Sequence, residues 1–329
     1  MKNRLAMVPV GCLFLMLALP SYAQEGLSNA DEIIQFQGET GSLGGALYRP
    51  AGDGPFPAFL FNHGSARGSL NNQAFEQIGP VFRDMGWVFF APYRRGQGLS
   101  ESAGPYIGDA ITQAQIATAV RVLPAAILCA ALLLYLLFRS RRNIANWVRI
   151  VATVCLVFVG AAVSYAAYVN TGAKTMVALL ETDHLRDQLA ALSWLRQQSF
   201  VQPDRIATGG NSFGGIITVL TVEQVPYCAA IDAAGGAQSW RLARQLRSRM
   251  LDAVRNAQAP IFFFQAENDY DLSPSRTLAG EMDRAGRENQ LRIYTQFGES
   301  PAQGHSFAWR GVSVWAEDVF EFLERYCAA

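Results

Sequence analysis

The pentapeptide Gly210-Asn211-Ser212-Phe213-Gly214 lies between an apolar run typical of a buried strand, residues 205–208, and one typical of a helix, residues 216–220. A serine at a sharp turn from strand to helix has a strained backbone that directs its hydroxyl away from the sheet. Glycine is needed on both sides because a Cβ there would collide with the neighbouring strand or helix. The pentapeptide alone is a weak signal in a chain with 29 glycines, but its context indicates a nucleophile elbow.

Strand and helix patterns alternate on both sides of this elbow. Strand patterns lie at 32–36, 46–49, 58–62, 87–91, 229–232, 261–264 and 291–294. Helix patterns lie at 72–85, 185–195, 241–256, 275–285 and 314–326. Continuous apolar strands that alternate with helices predict an α/β fold with a mostly parallel twisted sheet, an antiparallel start and helices on both faces.

The composition is apolar for a soluble chain of this length, with 50% hydrophobic and only 16% charged residues. Basic and acidic residues balance at 27 each, so the chain has no net field that attracts a polyanion. No basic stripe is interleaved with aromatic residues. Nucleic acid is therefore excluded as a partner, and part of the chain is expected to lie in lipid.

The apolar excess is concentrated between residues 110 and 180, where the sequence contains no aspartate or glutamate. Residues 122–138 and 150–169 carry no charge, and each run approaches the ~20 residues that a helix needs to cross a bilayer. We therefore predict a helical hairpin inserted at 113–174, which contacts the membrane through residues 116–170. A soluble cap packed on the main domain is the alternative, but a cap helix should have a polar side.

Charge at the two ends of the hairpin predicts its orientation. The turn carries Arg139, Arg141 and Arg142, with Arg149 just beyond it, whereas the outer ends carry only Arg121 and Lys174. Because basic residues favour the cytoplasmic side, the turn is predicted to be cytoplasmic and both outer ends to lie across the membrane.

The first 23 residues have the pattern of an export signal. Lys2 and Arg4 precede an apolar stretch, and Ser21-Tyr22-Ala23 is a small-x-small cleavage pattern. This signal predicts that the α/β domain, residues 24–112 and 175–329, lies in the periplasm or outside the cell, tethered to the membrane. The hairpin predicts the same side independently. An uncleaved signal anchor remains an alternative.

A serine hydroxyl becomes a nucleophile only when a base takes its proton and a carboxylate orients that base. In an elbow on this architecture the expected chain order is serine, acid, histidine. His305 is the only histidine after Ser212, in a predicted loop between the last strand and the last helix, and is the predicted base. His184 is predicted to be a surface residue, and His63 to lie in a turn that serves through its backbone.

The acid is predicted to be Asp269, which follows the strand pattern at 261–264, with Asp271 as the runner-up. With these motifs the chain resembles the α/β-hydrolase superfamily, in particular the dienelactone-hydrolase-like and prolyl-oligopeptidase-like serine hydrolases. The resemblance rests on Asn211 to Gly215, on Glu267 to Asp269 ahead of Leu272 and Pro274, and on Gly304-His305. It implies the α/β-hydrolase fold and favours Asp269, because the family aspartate lies a short step before a Val-Pro pair.

The resemblance also implies an oxyanion hole made of backbone N–H groups. Phe213 would supply one donor and Ser65, in the turn His63-Gly64-Ser65, the other. Such preorganised donors contribute about 3 to 4 kcal/mol each to transition-state stabilisation. The segment Tyr93 to Ser100 resembles the Arg-Gly-x-Gly-x-Ser turn that follows the fourth strand in the family. Its arginines are predicted to hold loops near the site.

Together these residues predict a serine hydrolase that cleaves a carboxylester, thioester or lactone of a small-molecule or lipid-like acyl substrate through an acyl-enzyme. A peptidase of the prolyl-oligopeptidase type is the alternative, disfavoured because the segment before the first strands is too short for a propeller domain. A catalytically silent membrane protein on the same fold is a third possibility.

No cofactor or metal is expected, because the three histidines and five cysteines form no ligand motif. Cys228 and Cys327 either pair as a disulfide or remain buried thiols. The sequence leaves the oligomeric state open.

Overall fold

The structure is a computed structural model that describes residues 27, 29–65, 70–139 and 145–328. Its strands are β1 Glu32–Gln37, β2 Ser42–Tyr48, β3 Phe56–Asn62, β4 Val88–Pro92, β5 Val201–Asn211, β6 Ala230–Ala233, β7 Ile261–Ala266 and β8 Asn289–Tyr294. Its α-helices are α1 Leu70–Asp84, α2 Ile107–Arg139, α3 Asn146–Leu179, α4 Leu185–Arg196, α5 Phe213–Gln224, α6 Arg244–Arg255, α7 Ser273–Arg284, α8 Pro301–Arg310 and α9 Val312–Cys327. The predicted export signal and two arginines of the hairpin turn, Arg141 and Arg142, lie outside the described residues.

The strands form one eight-stranded sheet in the order β1-β2-β4-β3-β5-β6-β7-β8. β1 pairs with β2 and β2 with β4 in antiparallel fashion, and the remaining neighbours are parallel. Every residue of β4 and of β7 is buried, as expected of strands covered on both faces. The predicted mostly parallel sheet with an antiparallel start is confirmed.

Two apolar clusters fill the space between this sheet and the helices on its two faces. One cluster contains residues of α4 to α7, such as Leu192, Ile217 and Leu246. The other contains aromatic residues of α1 and α9, such as Phe82 and Phe322. The carboxyl ends of the central strands therefore open at an edge between two helical layers, where loops of an α/β sheet form sites.

A disulfide joins Cys228, just before β6, to Cys327 at the end of α9. The sequence left open whether these cysteines pair, and the structure pairs them. The bond connects the last helix to the start of β6, the strand that neighbours β5 in the sheet. The other two cysteines of the described chain, Cys129 and Cys155, are free and exposed in the apolar hairpin.

The apolar insertion consists of two long helices, α2 and α3, which pack against each other. They begin before residue 113 and end after residue 174, the predicted limits of the insertion. A π-helical turn, Leu180–His184, continues α3 into α4, so that one helix runs over Asn146–Arg196. Both helices are long and apolar enough to cross a membrane, and 0% of the most apolar window of each is buried.

Candidate active site

Ser212 lies between the last residue of β5 and the first residue of α5, with φ 56° and ψ −116°. A non-glycine residue with positive φ costs about 1 to 3 kcal/mol, so the surrounding structure must hold it there. Its N–H donates to the carbonyl of Ala233 over 2.9 Å. A Cβ on Gly210 or Gly214 would lie only 2.4 or 1.8 Å from the Asn62 carbonyl oxygen, which explains the two glycines of the elbow.

The side chains of three distant residues converge at this elbow. His305 Nε2 lies 2.9 Å from Ser212 Oγ, and His305 Nδ1 lies 2.8 Å from Asp269 Oδ1. Because a carboxylate only accepts, Nδ1 carries the proton and donates it to Asp269, which leaves Nε2 free to accept from the serine hydroxyl. The structure therefore brings together the predicted serine, histidine and acid in the arrangement of a nucleophile, a base and an orienting group.

Asp269 is held by contacts beyond the histidine. Its Oδ2 accepts from Gln265 Nε2 over 2.9 Å, and its Oδ1 also accepts from the backbone N–H of Tyr270 over 2.6 Å. Asp271, the runner-up, instead accepts from the Ser273 backbone over 2.9 Å and pairs with Arg241 over 3.2 Å. These contacts separate the two carboxylates, and the structure joins Asp269, not Asp271, to His305.

Although partial burial acts to raise the pKa of Asp271, the hydrogen bonds from Ser273 and Arg241 outweigh it and hold the pKa below its ordinary value. Asp271 therefore stays ionised, bonded to Ser273 in its own turn and to Arg241 in the segment before α6.

His305 lies on a helix, which corrects the predicted loop. It is the fifth residue of α8, Pro301–Arg310. The sequence contained the signal for this helix. Ser300 forms a capping box with Gln303, and Pro301 occupies the first turn, where its missing N–H is not needed.

Asn268 is a site residue that the sequence reasoning did not single out. Its Nδ2 donates to the carbonyls of Phe297 and Ser300, each over 3.1 Å, and its Oδ1 accepts from the Phe297 N–H over 3.0 Å. A Cβ on Gly304 would lie 2.6 Å from Asn268 Oδ1. Asn268 thus joins the loop of the acid directly to the segment of the histidine, a pairing that only the tertiary fold creates.

The two predicted oxyanion donors lie on adjoining elements. Phe213 is the first residue of α5, so its N–H has no acceptor within the helix. The loop after β3 packs against the elbow, since a Cβ on Gly64 would lie 3.0 Å from Asn211 Nδ2. The carbonyl of Ser65 accepts from the hydroxyl of Tyr106 over 2.5 Å.

Known proteins share this architecture. Residues 174–243 match the model of the prolyl oligopeptidase family. An acylaminoacyl peptidase from Pyrococcus horikoshii superposes with a TM-score of 0.56 at 15% identity, over 90% of this chain and 41% of that one. The chain has the α/β-hydrolase fold. The resemblance to the α/β-hydrolase superfamily is thereby confirmed.

Two further structures share the α/β-hydrolase fold. A Klebsiella pneumoniae protein designated a dienelactone hydrolase superposes with a TM-score of 0.53 at 15% identity, over 91% of this chain and 99% of that one. An esterase from Pyrococcus furiosus superposes with a TM-score of 0.53 at 11% identity, over 93% of this chain and 97% of that one. The chain thus spans 41% of the acylaminoacyl peptidase but nearly all of these two proteins. A search of curated protein sequences gives no significant match.

Two consecutive arginines of the α/β-hydrolase domain hold loops around the site, as the sequence predicted. The buried Arg94 donates to the carbonyls of His63 and Gly64, and its guanidinium lies 4.6 Å from the centre of the Phe213 ring. Its burial lowers its pKa to about 9. Arg95 pairs instead with Asp187 over 2.7 Å, on the helix that returns from the apolar hairpin.

His184 is not the surface residue that the sequence predicted. Only 2% of it is exposed, and its ring meets the Phe213 ring edge-on at 5.8 Å between centres. Burial, with a contribution from Arg94 and Arg95, lowers its pKa well below the ordinary value, so it is neutral. His184 belongs to the π-helical turn at the end of the hairpin, and this turn lies against α5. Helix α5 therefore buries a histidine that the sequence pattern suggested was exposed.

His63 is also buried, and both of its ring nitrogens have partners. Nδ1 donates to the Gly64 carbonyl over 2.7 Å, and Nε2 accepts from the Arg94 backbone N–H over 3.1 Å. Burial lowers its pKa well below the ordinary value. His63 therefore holds the loop in place and has no free nitrogen for proton transfer.

Within the described parts of the chain, no group of three or more histidine, cysteine, aspartate or glutamate side chains is arranged to hold a metal ion.

Proposed function

We propose that the protein is a serine hydrolase that cleaves ester-like bonds with Ser212 as nucleophile, His305 as base and Asp269 as orienting acid. Two consecutive hydrogen bonds carry this proposal: one joins Ser212 Oγ to His305, and the other joins His305 to Asp269. The backbone of Ser212 is strained, with positive φ, at the elbow. A strained turn that exposes the serine hydroxyl beside a base is the arrangement expected of an activated nucleophile.

The reaction follows from the direction of these hydrogen bonds. His305 Nε2 takes the proton of the Ser212 hydroxyl as the oxygen attacks the substrate carbonyl, and Asp269 stabilises the imidazolium that forms. His305 then gives the proton to the leaving alcohol or thiol as the acyl-enzyme forms. A water molecule, deprotonated by the same histidine, releases the acid and restores the serine.

The negative charge of the tetrahedral intermediate needs donors beside Ser212. We assign this role to the backbone N–H groups of Phe213 and Ser65, supported by the position of Phe213 at the start of α5 and by the packing of the Ser65 loop on the elbow. The N-terminus of α5 adds a partial positive charge at the same place.

Labelling by a fluorophosphonate tests the nucleophile. The wild-type protein is expected to react covalently, and Ser212→Ala to lose all labelling. Ser193→Ala, which changes an exposed serine on α4, is the matched control and should label normally. An unreactive wild-type protein would favour the silent membrane protein, and labelling that survives in Ser212→Ala would remove Ser212 from the role.

Peptide cleavage is the second candidate function, supported by the match of residues 174–243 to the prolyl oligopeptidase family. The same triad serves both reactions. Turnover of a matched panel of esters, thioesters, lactones, N-acylated peptides and free peptides by the purified protein would decide between them. A preference for peptides by kcat/KM would replace the ester assignment.

We also propose that the α2–α3 hairpin spans a membrane and tethers the hydrolase domain to it. Exposed aromatic residues lie near both ends of the apolar helices: Tyr135 and Trp147 near the turn, Tyr165 and Tyr168 near the domain. The distance from Trp147 to Tyr168 along α3 is about 31 Å at 1.5 Å per residue, close to the ~30 Å of a bilayer core. Two aromatic belts at this separation support a transmembrane position.

The same proposal places the hydrolase domain on the periplasmic or outer side, with the turn and its arginines, such as Arg139 and Arg149, on the cytoplasmic side. Protease treatment of intact spheroplasts, which exposes only the outer side, should degrade the hydrolase domain. Protection of the domain would reverse the orientation. Deletion of residues 116–170 should release the protein from carbonate-washed membranes, and retention would contradict the tether.

The hairpin deletion also tests the class of substrate. If the hairpin brings lipid-like acyl substrates to Ser212, its removal should lower activity on long acyl chains more than on short ones. An equal effect on both would leave the hairpin as an anchor for an enzyme of small soluble substrates.

A further inference from the structure

The segment before α6 and the first turns of α6 form an exposed basic corner beside the hairpin. The basic corner comprises Lys174 of α3 together with Arg241, Leu242, Arg244 and Arg247. Leu242 is 70% exposed, although Trp240 and Ala243 in the same segment are buried. A large exposed apolar side chain flanked by arginines is the composition of a membrane-interface contact.

The charge of the corner is only partly compensated. Arg241 pairs with Asp271 but leaves 79% of its side chain exposed. Arg247 donates to the backbone carbonyls of Trp240 and Arg241, which fixes the turn, and its charge has no carboxylate partner among the described residues. Arg244 and Lys174 are exposed, and neither forms an ion pair with any residue in the described part of the chain.

Contacts between α6 and α3 set the level of this corner along the hairpin. Gln245 Nε2 donates to Asn170 Oδ1 over 2.5 Å, and Asn170 is two residues from Tyr168, in the aromatic belt nearest the domain. One turn further along α6, Arg249 pairs with Glu181, which lies 11 residues after Asn170 in the helix that continues α3. Helix α6 therefore runs away from the belt, and its first turn is the end at headgroup level.

From these observations we propose that the basic corner is a second membrane contact of the domain, which docks onto anionic lipid headgroups with Leu242 inserted among them. The proposal rests on the hairpin as a membrane anchor, because the anchor holds the corner at the bilayer surface. Anionic headgroups match the unpaired cations, and the corner continues the surface of the hairpin itself. Docking fixes the tilt of the domain, and the Arg241–Asp271 pair connects it to the loop that carries Asp269.

The test uses the full chain reconstituted in nanodiscs with an environment-sensitive fluorophore on Leu242→Cys, in a Cys12→Ser, Cys129→Ser, Cys155→Ser background. Discs of phosphatidylcholine alone are compared with discs that contain phosphatidylglycerol. We expect a blue-shifted emission in the anionic discs, accessible to quenching by doxyl-labelled lipid. The shift should decrease as salt is raised, because exposed charges are then screened.

Charge removal provides the matched comparison. The triple variant Lys174→Gln, Arg244→Gln, Arg247→Gln should weaken docking about fivefold per charge removed, from the usual contribution of a basic side chain at an anionic surface. The control Arg255→Gln, Arg284→Gln, Arg287→Gln removes the same charge around the opposite end of α6 and should retain the shift.

The outcomes separate the two proposals. Incorporation into both kinds of disc with the same emission in each would overturn docking and leave the anchor intact. An equal loss of the shift in the triple variant and its control would also overturn docking at this corner. Failure to incorporate into either disc would overturn the anchor, and the docking proposal with it.

Discussion

Helix α5 and the hairpin helices are both apolar around their whole circumference, yet they have opposite surroundings. In α5 every residue from Phe213 to Val222 is buried between the sheet and its neighbours. In α3 side chains of the same kind, such as Val157 and Phe158, are 60% and 71% exposed. A helix that is apolar on all sides requires an apolar environment, either a protein core or lipid. Helix length distinguishes the two: the 12 residues of α5 pack behind a sheet, whereas the 34 residues of α3 are long enough to cross a bilayer.

The two regions meet at the candidate site. Tyr106, just before α2, bonds to the loop of Ser65, and His184, just after α3, packs on Phe213. Both ends of the hairpin therefore contact the residues assigned to the oxyanion hole. The comparison can be tested in four ways, from the largest expected effect to the smallest.

The first test separates Asp269, the carboxylate proposed to orient His305, from its neighbour Asp271. Asp269→Asn should lower kcat by about 10⁴-fold, because the histidine loses the acceptor that fixes its tautomer. Asp271→Asn should change kcat less than tenfold, since its contacts are with Ser273 and Arg241 and not with His305. The measurement is steady-state hydrolysis of an activated ester. Similar losses in both variants would contradict the assignment of the acid.

The second test places one substitution in each apolar helix. Val219→Asp puts a carboxylate where 0% of the side chain is exposed and should cost more than about 4 kcal/mol of folding free energy. Val157→Asp should leave the melting temperature in detergent nearly unchanged but disfavour insertion by about 2.5 to 3.5 kcal/mol. Thermal unfolding and a translocon insertion assay measure the two effects. A large loss of stability in detergent for Val157→Asp would mean that the hairpin packs in protein.

The third test concerns a carboxylate buried under the elbow. Asp232 accepts from the Gly235 N–H over 2.7 Å, its Oδ2 has no hydrogen-bond partner within the described chain, and burial raises its pKa from 3.8 to about 7. The folded state therefore holds this proton more tightly than the unfolded chain does. The resulting stabilisation is present at acid pH and is lost as pH rises from about 4 through about 7.

Asp232→Asn should flatten this part of the pH profile of unfolding free energy by up to about 4 kcal/mol, from three pKa units at 1.4 kcal/mol each. Urea unfolding at a series of pH values measures it. The control Asp204→Asn changes an exposed carboxylate and should keep the wild-type slope. An unchanged slope in Asp232→Asn would mean that Asp232 does not titrate in this window.

The fourth and smallest test is at the junction of the two regions. Tyr106→Phe removes the hydrogen bond to the Ser65 carbonyl and should lower kcat about three- to tenfold with KM unchanged, from a loss of about 1 kcal/mol in positioning the loop. Tyr165→Phe, on the exposed part of the hairpin, should have no effect on kcat. If Tyr106→Phe behaves like this control, the base of the hairpin does not position the oxyanion loop.

The order of strands and helices and the position of the elbow could be read from the sequence, because each depends on local periodicity and on glycines that a neighbouring backbone requires. Ser212 and His305 followed from the chemistry of an activated serine and from chain order, whereas Asp269 was favoured over Asp271 by the resemblance to the α/β-hydrolase superfamily. The helix of His305 was missed even though a capping box marked it, because a short glycine-containing segment also fits a loop.

The sequence by itself determined which chemistry the chain contains and that a long apolar insertion interrupts it, since composition and spacing are local properties. Only the tertiary structure decided which carboxylate reaches His305, that Asn268 joins the acid loop to the histidine segment, that His184 is covered by Phe213, and that the start of α6 lies beside Asn170. Each of these depends on contacts between residues far apart in the chain, and no local pattern specifies such distances.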